Sequence, residues 1–108
     1  MDTNLDILAR LEQVIADRKS ASPDSSYVAS LYAKGIEKIA QKLGEEATET
    51  VIAALSGGRE EVVGEATDLI FHLLVLLQAR RVSLDEVMAE LDRREGTSGI
   101  EEKASRSE

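Results

Sequence analysis

Two long segments of helical periodicity meet at Gly57-Gly58, and that junction constrains the fold more than any other feature of the chain. From Tyr27 to Leu55, the residues Val28, Leu31, Ile36, Ile39, Leu43, Ala47, Val51 and Leu55 step along one side of a helix. From Arg59 to Arg80 the periodicity resumes, amphipathic at first and then apolar almost all round in LIFHLLVLLQ. The glycine pair predicts a helix end with glycine in the left-handed C-cap conformation, and hence an antiparallel hairpin. Gly35 and Gly44 fall inside the first segment, each costing up to about 1 kcal/mol of helix propensity relative to alanine. They are expected to mark a kink or the close approach of another group.

Shorter elements flank the hairpin. Asn4 is placed to cap a first helix through Leu5, Leu8, Leu11 and Ile15, fraying out near Lys19. The stretch SASPDSS is a loop holding the only proline, with Ser25 or Ser26 as the cap of the next helix. Ser83 and Glu86 form a capping box that opens a last helix through Leu84, Val87, Met88 and Leu91, ending near Glu95-Gly96. The remainder, GTSGIEEKASRSE, is polar and glycine-broken: a disordered tail or one that orders over a ligand. Aromatic residues make up only 3 % of the chain, so Leu, Ile, Val and Ala must build the core, which favours helices over a sheet. The 108 residues therefore read as one all-α domain, a bundle of about four helices, with 97–108 as a mobile tail. A helix that is apolar on every face needs cover on every face, and a bundle this small supplies it on one side. A homodimer or higher homo-oligomer is expected.

Composition excludes several classes of function. The net charge of −8 and the lack of a dense basic patch argue against a nucleic-acid partner. The absence of cysteine removes disulfides, thiolate zinc sites and cysteine nucleophiles. The N-terminal stretch has charges within every short apolar run, unlike a signal peptide, and the longest apolar run, Leu73 to Leu77, is too short to span a membrane. A cytoplasmic protein without a membrane partner is the expectation.

The acidic residues are organised. Glu45, Glu46 and Glu49 form E-E-x-x-E in the segment before the glycine pair, and Glu65 with Asp68 forms E-x-x-D after it. At about 100° per residue each set projects from one sector of its helix. When the hairpin closes, Glu49 mirrors Glu65 and Glu46 mirrors Asp68, at roughly 11–17 Å from the turn. Four carboxylates then meet across one groove, where their repulsion is costly unless protons or cations neutralise them. Oxygen-only ligands suit a hard cation, Mg²⁺ or Mn²⁺, at a site that also receives phosphates. Such an ion polarises phosphoryl oxygens and lowers the pKa of an attacking water. The plain alternative is a solvated acidic face paired with nearby lysines, and the mirrored heights argue against it.

These residues carry a resemblance. SYVASLYAKGIEKIAQKLGEEATETVIAAL, EATDLIFHLLVLL and RREGTSGIEEKASR closely resemble the phosphoribosyl-ATP pyrophosphatase family, within the all-α, MazG-like nucleoside triphosphate pyrophosphohydrolases. The resemblance runs from Ser26 to Arg106, and the acidic motif with its spacer of fifteen residues matches without departure. It implies hydrolysis of 1-(5-phosphoribosyl)-ATP to 1-(5-phosphoribosyl)-AMP and pyrophosphate, the second step of histidine biosynthesis. It also implies that Glu45, Glu46, Glu49, Glu65 and Asp68 form the catalytic set, with Glu46, Glu49, Glu65 and Asp68 as ligands of Mg²⁺. One of the five is expected to orient the attacking water.

Cations should meet the phosphates. Lys34, Lys38 and Lys42 step by four along the same segment and lead towards Glu46, either as phosphate contacts or as ordinary helical ion pairs. Arg18, Lys103 and Arg106 flank the helical core from both ends, and the resemblance makes EEKASR a segment that closes over ligand. His72 lies one turn after Asp68, as a donor to that carboxylate or, more in keeping with a hard-cation site, as a buried histidine satisfied elsewhere. Tyr27 and Tyr32 are packing residues first, with a base or ribose contact as the other role. Two rivals stand beside this reading. A house-cleaning nucleoside triphosphate pyrophosphohydrolase shares the acidic motif but not the EEKASR segment. A non-catalytic helical dimerisation domain explains the apolar helix but not the mirrored acids.

Overall fold

The computed structural model describes residues 4–95, and these form five helices with no strand among them. In chain order they are α1 (Asn4–Arg18), α2 (Tyr27–Lys34), α3 (Ile36–Ser56), α4 (Arg59–Ala79) and α5 (Leu84–Glu95). The all-α expectation holds, with one more helix than anticipated. The expected 97–108 tail, with Lys103 and Arg106, lies outside the described residues.

The extra helix comes from Gly35. Instead of a kink inside one long helix, the chain breaks there at φ +96°, ψ 172°, a region essentially reserved for glycine. The Gly35 N–H closes α2 on the carbonyls of Leu31 and Tyr32, while its own carbonyl receives the Ile39 N–H and opens α3. One residue thus ends one helix and begins the next. Gly44 stays helical, with open space where a Cβ would project. Upstream, the Ser26 hydroxyl accepts from the Ala29 N–H at 3.2 Å, which fixes Ser26 rather than Ser25 as the cap of α2.

The α3–α4 turn departs from the expected left-handed glycine C-cap. Gly57 is extended (φ −104°), not left-handed. A Cβ at Gly57 would stand 3.0 Å from the Ala53 carbonyl and 2.8 Å from the Glu61 carboxylate, which folds back to accept the Gly58 N–H at 3.2 Å. The helices then run antiparallel as the most closely packed pair of the fold. The Thr50 hydroxyl fixes their register, lying 2.7 Å from the Glu46 carbonyl of its own helix and 3.2 Å from the Glu65 carbonyl across the interface.

The core gathers at the end of the hairpin away from the turn. Ile15, Val28, Leu31, Ile39, Leu74, Val75 and Leu84 pack together, so every helix contributes at least one residue. The capping box of α5 forms as expected between Ser83 and Glu86. The Glu12 carboxylate adds to it by accepting the Leu84 N–H at 2.7 Å, tying α1 to the start of α5. The turn end of the hairpin projects beyond this core, leaving Leu55 83 % and Val63 64 % exposed. By length and composition α4 is apolar enough to cross a membrane, although its longest apolar run is short. It packs along α3 and against α1, with Glu65 and Asp68 midway along it.

Candidate functional site

The hairpin register brings Glu46 and Glu49 of α3 to Glu65 of α4, with one carboxylate oxygen of each lying within 4.8 Å of the others. Glu46 is buried, Glu65 half-buried and Glu49 exposed, so the trio forms a wall-to-rim gradient on one side of the groove. Glu46 Oε2 and Glu65 Oε1 are buried without a hydrogen-bond partner. Full charges on all three at such separations repel one another unless protons or a cation neutralise them.

The electrostatics reflect this crowding. Burial, followed by the nearby Glu49, pushes the Glu46 carboxyl above the usual glutamate range. The same two causes, in the same order, push up Glu65. A divalent cation in the groove would offset both, and it would supply the partner that the two buried oxygens lack. All donors are hard oxygens, so the residues present fit Mg²⁺ or Mn²⁺.

The other expected acids stand at different distances from this centre. Asp68 is exposed and lies outside the tight trio, although close enough for its charge to raise both Glu46 and Glu65. Glu45 turns away from it. Its carboxylate accepts from Gln41 Nε2 at 2.8 Å and pairs with Lys42 at 3.4 Å, and these contacts hold it below the usual range.

Of the expected cations, Lys42 is the one bound into the acidic group, reaching Glu45 at 3.4 Å and Glu46 at 3.9 Å. Lys38 is half-buried one turn earlier and close enough to lower Glu45. Lys34 belongs to α2, so the break at Gly35 detaches it from the line the sequence spacing predicts. Arg18 ends α1, exposed and without an ion pair among the described residues.

His72 is buried and satisfied away from the Asp68 carboxylate, as the more conservative expectation had it. Its Nδ1 lies 2.7 Å from the Asp68 backbone carbonyl and its Nε2 2.8 Å from the Tyr27 hydroxyl. Tyr27 also stacks on Phe71, with ring centroids 6.1 Å apart. Spacing along the chain could not find this contact, because 45 residues separate its partners. The same holds for Lys19, whose ammonium sits 5.3 Å from the Tyr32 ring centroid.

The arrangement is suited to phosphoryl chemistry: a carboxylate cradle for a hard cation, a lysine at its edge and an open side. Residues 8–95 match the family model described as phosphoribosyl-ATP pyrophosphohydrolase. The phosphoribosyl-ATP pyrophosphatase of Erythrobacter litoralis is 69 % identical over 96 % of this chain and 100 % of its own length. That of Novosphingobium aromaticivorans is 70 % identical over 94 % of this chain and 95 % of its own. The protein of the same name from Trichlorobacter lovleyi is 57 % identical over the full length of both. Since the match takes in both acidic helices and the elements that set their register, the chain belongs to the phosphoribosyl-ATP pyrophosphohydrolase family.

Proposed function

We propose that this chain hydrolyses 1-(5-phosphoribosyl)-ATP to 1-(5-phosphoribosyl)-AMP and pyrophosphate, the second step of histidine biosynthesis, with Mg²⁺ or Mn²⁺ held by Glu46, Glu49 and Glu65. The observation that carries the reading is the trio of carboxylates within 4.8 Å, two of them with buried unpartnered oxygens, in a chain of this family. When bound, the cation supplies charge neutralisation at the phosphoryl oxygens and a more acidic water.

The chain's own residues divide the remaining work. Glu46 and Glu65 form the inner wall, each with a buried oxygen that lacks a hydrogen-bond partner. Glu49, exposed at the rim, is positioned to serve both the ion and the entering triphosphate. Asp68 flanks the trio without belonging to it, a position suited to orienting the attacking water as a general base. Lys42, held beside Glu46, offers an ammonium to the phosphate chain, and Lys38 extends that positive edge by one turn. Glu45 keeps Lys42 in position and is a positioning residue in this scheme.

A homodimer or higher assembly belongs to the same reading. Val51 and Ile70 lie about 200° around their helices from Glu49 and Asp68, so the apolar side of the hairpin is opposite the acidic side. Both are exposed, and with Leu55 and Val63 they form the surface a second copy would cover without blocking the groove. A nucleotide substrate of central metabolism also supports a cytoplasmic location.

The test is pyrophosphate release by the purified chain from phosphoribosyl-ATP, set against dCTP and ATP, with Mg²⁺ and with EDTA. Release from phosphoribosyl-ATP alone, abolished by EDTA, is expected. Preference for a common triphosphate, or full turnover in EDTA, rejects the proposal.

A further inference from the structure

The Tyr27–His72 pair sits beside the acidic groove, and the proposed hydrolysis leaves it without a task. The Asp68 carbonyl can only accept, so His72 Nδ1, 2.7 Å away, must carry the proton that binds it. In the neutral ring Nε2 is then a bare lone pair, and the Tyr27 hydroxyl, 2.8 Å away, must donate to it. With His72 neutral, the phenol proton is committed to Nε2. What remains on the Tyr27 oxygen is acceptor capacity alone.

The location gives that acceptor a use. Tyr27 is the first residue of α2 and is 49 % exposed, although its ring rests on Phe71 and meets His72 edge-on. Its partner His72 stands one turn beyond Asp68 on α4. Burial is the first cause that raises the Tyr27 phenol above its ordinary pKa. The charge of Lys42 lowers it, while those of Glu46 and Asp68 raise it, so the phenol lies within electrostatic reach of the groove. A phenol oxygen left with acceptor capacity alone repels phosphate oxygens but receives O–H groups well.

We propose that Tyr27 Oη is a hydrogen-bond acceptor, oriented by His72, for an O–H donor that enters the acidic groove, namely a hydroxyl of the substrate's sugar. Water bound to the cation offers the same chemistry from a second source, and the two are separable by experiment. This assignment rests on the proposed hydrolysis of phosphoribosyl-ATP. Tyr27 touches the substrate; His72 is a positioning residue that acts through it.

Tyr27→Phe keeps the ring on Phe71 and removes the oxygen. His72→Asn keeps a donor for the Asp68 carbonyl and releases the Tyr27 hydroxyl from its fixed direction. For phosphoribosyl-ATP at saturating Mg²⁺, Tyr27→Phe should raise KM about tenfold with kcat within about twofold, the loss expected of one hydrogen bond. His72→Asn should raise KM by a smaller factor, and the double variant should be no worse than Tyr27→Phe. A change confined to the Mg²⁺ concentration that half-raises Tm, measured without substrate, assigns the donor to the cation's water and supports the acceptor role. If Tyr27→Phe alters neither KM nor the Mg²⁺ response, the assignment is overturned. If Tyr27→Phe fails to fold, His72→Asn decides, and wild-type KM and Mg²⁺ response in it overturn the assignment. If the wild-type chain releases no pyrophosphate, the substrate reading fails on its own. Tyr27 is then judged by the Mg²⁺ response alone, and an unchanged response overturns its role too.

Discussion

The Thr50 hydroxyl reaches across the α3–α4 interface to the Glu65 carbonyl at 3.2 Å while lying 2.7 Å from the Glu46 carbonyl. Its single proton is shared between the backbones of two residues whose carboxylates face each other in the groove. A small side chain at this position lets the helices approach, and the shared proton sets their register. Thr50→Val keeps the shape and loses the proton. It should cost about 1 kcal/mol, the usual net worth of a hydrogen bond, and weaken Mg²⁺ binding besides. Chemical denaturation and a Mg²⁺ titration followed by Tm measure the two effects. A variant as stable as the wild type, with the same Mg²⁺ midpoint, would show that packing alone sets the register.

Gly35 and Gly44 should respond to alanine in opposite directions. Gly35 holds φ +96° with open space around it, so Gly35→Ala is penalised through the backbone alone, by about 1–3 kcal/mol. Gly44 is helical and equally unobstructed, so Gly44→Ala should gain about 0.5–1 kcal/mol. Urea midpoints of the two variants give the comparison, and equal shifts of one sign would contradict it.

The carboxylate trio trades stability for function. Glu49→Gln or Glu65→Gln removes a repelling charge, so the Mg²⁺-free protein should melt at the same temperature or higher. Turnover should fall about a hundredfold or more, since a ligand of the proposed cation is lost. In the wild type, Mg²⁺ at 100 times its Kd should add about 2.7 kcal/mol of stability, and in Glu49→Gln at the same concentration much less. Calorimetry with and without Mg²⁺ checks both; destabilised apo variants with intact turnover would remove these residues from the site.

Burial, and then Glu49, raises Glu46 and Glu65 above the ordinary glutamate value of 4.5. The folded chain therefore holds protons that the unfolded chain has released. Their contribution to stability is complete below pH 4.5 and is lost as pH climbs through the raised values. Opposing groups work lower on the scale: Glu90, pulled down to about 2 by Arg93 and Arg94, loses its contribution only as pH falls towards that value. In EDTA, Glu46→Gln should thus gain on the wild type as pH rises above 4.5, and saturating Mg²⁺ should erase that gain. Parallel Tm–pH curves for the two proteins in EDTA would refute this.

The exposed apolar side of the hairpin gives a further prediction. Val51→Lys with Leu55→Lys should lower the oligomeric state seen by sedimentation equilibrium, because a charge buried in an apolar contact without a partner is costly. An unchanged mass would place the subunit contact elsewhere.

Much of this protein was legible along the chain because its chemistry is local in register. Helical periodicity, the Ser83–Glu86 cap and the glycine pair define the hairpin, and equal spacing from the turn brings Glu46, Glu49 and Glu65 together. Those features need only 3.6 residues per turn and a short connection. Tertiary structure decided what depends on direction and space. It broke the chain at Gly35, left Asp68 beside the trio and joined Tyr27 to His72 across 45 positions. Periodicity sets the sector into which a side chain points. Which partner it meets there is set by the packing of other helices, and no spacing within one segment encodes that.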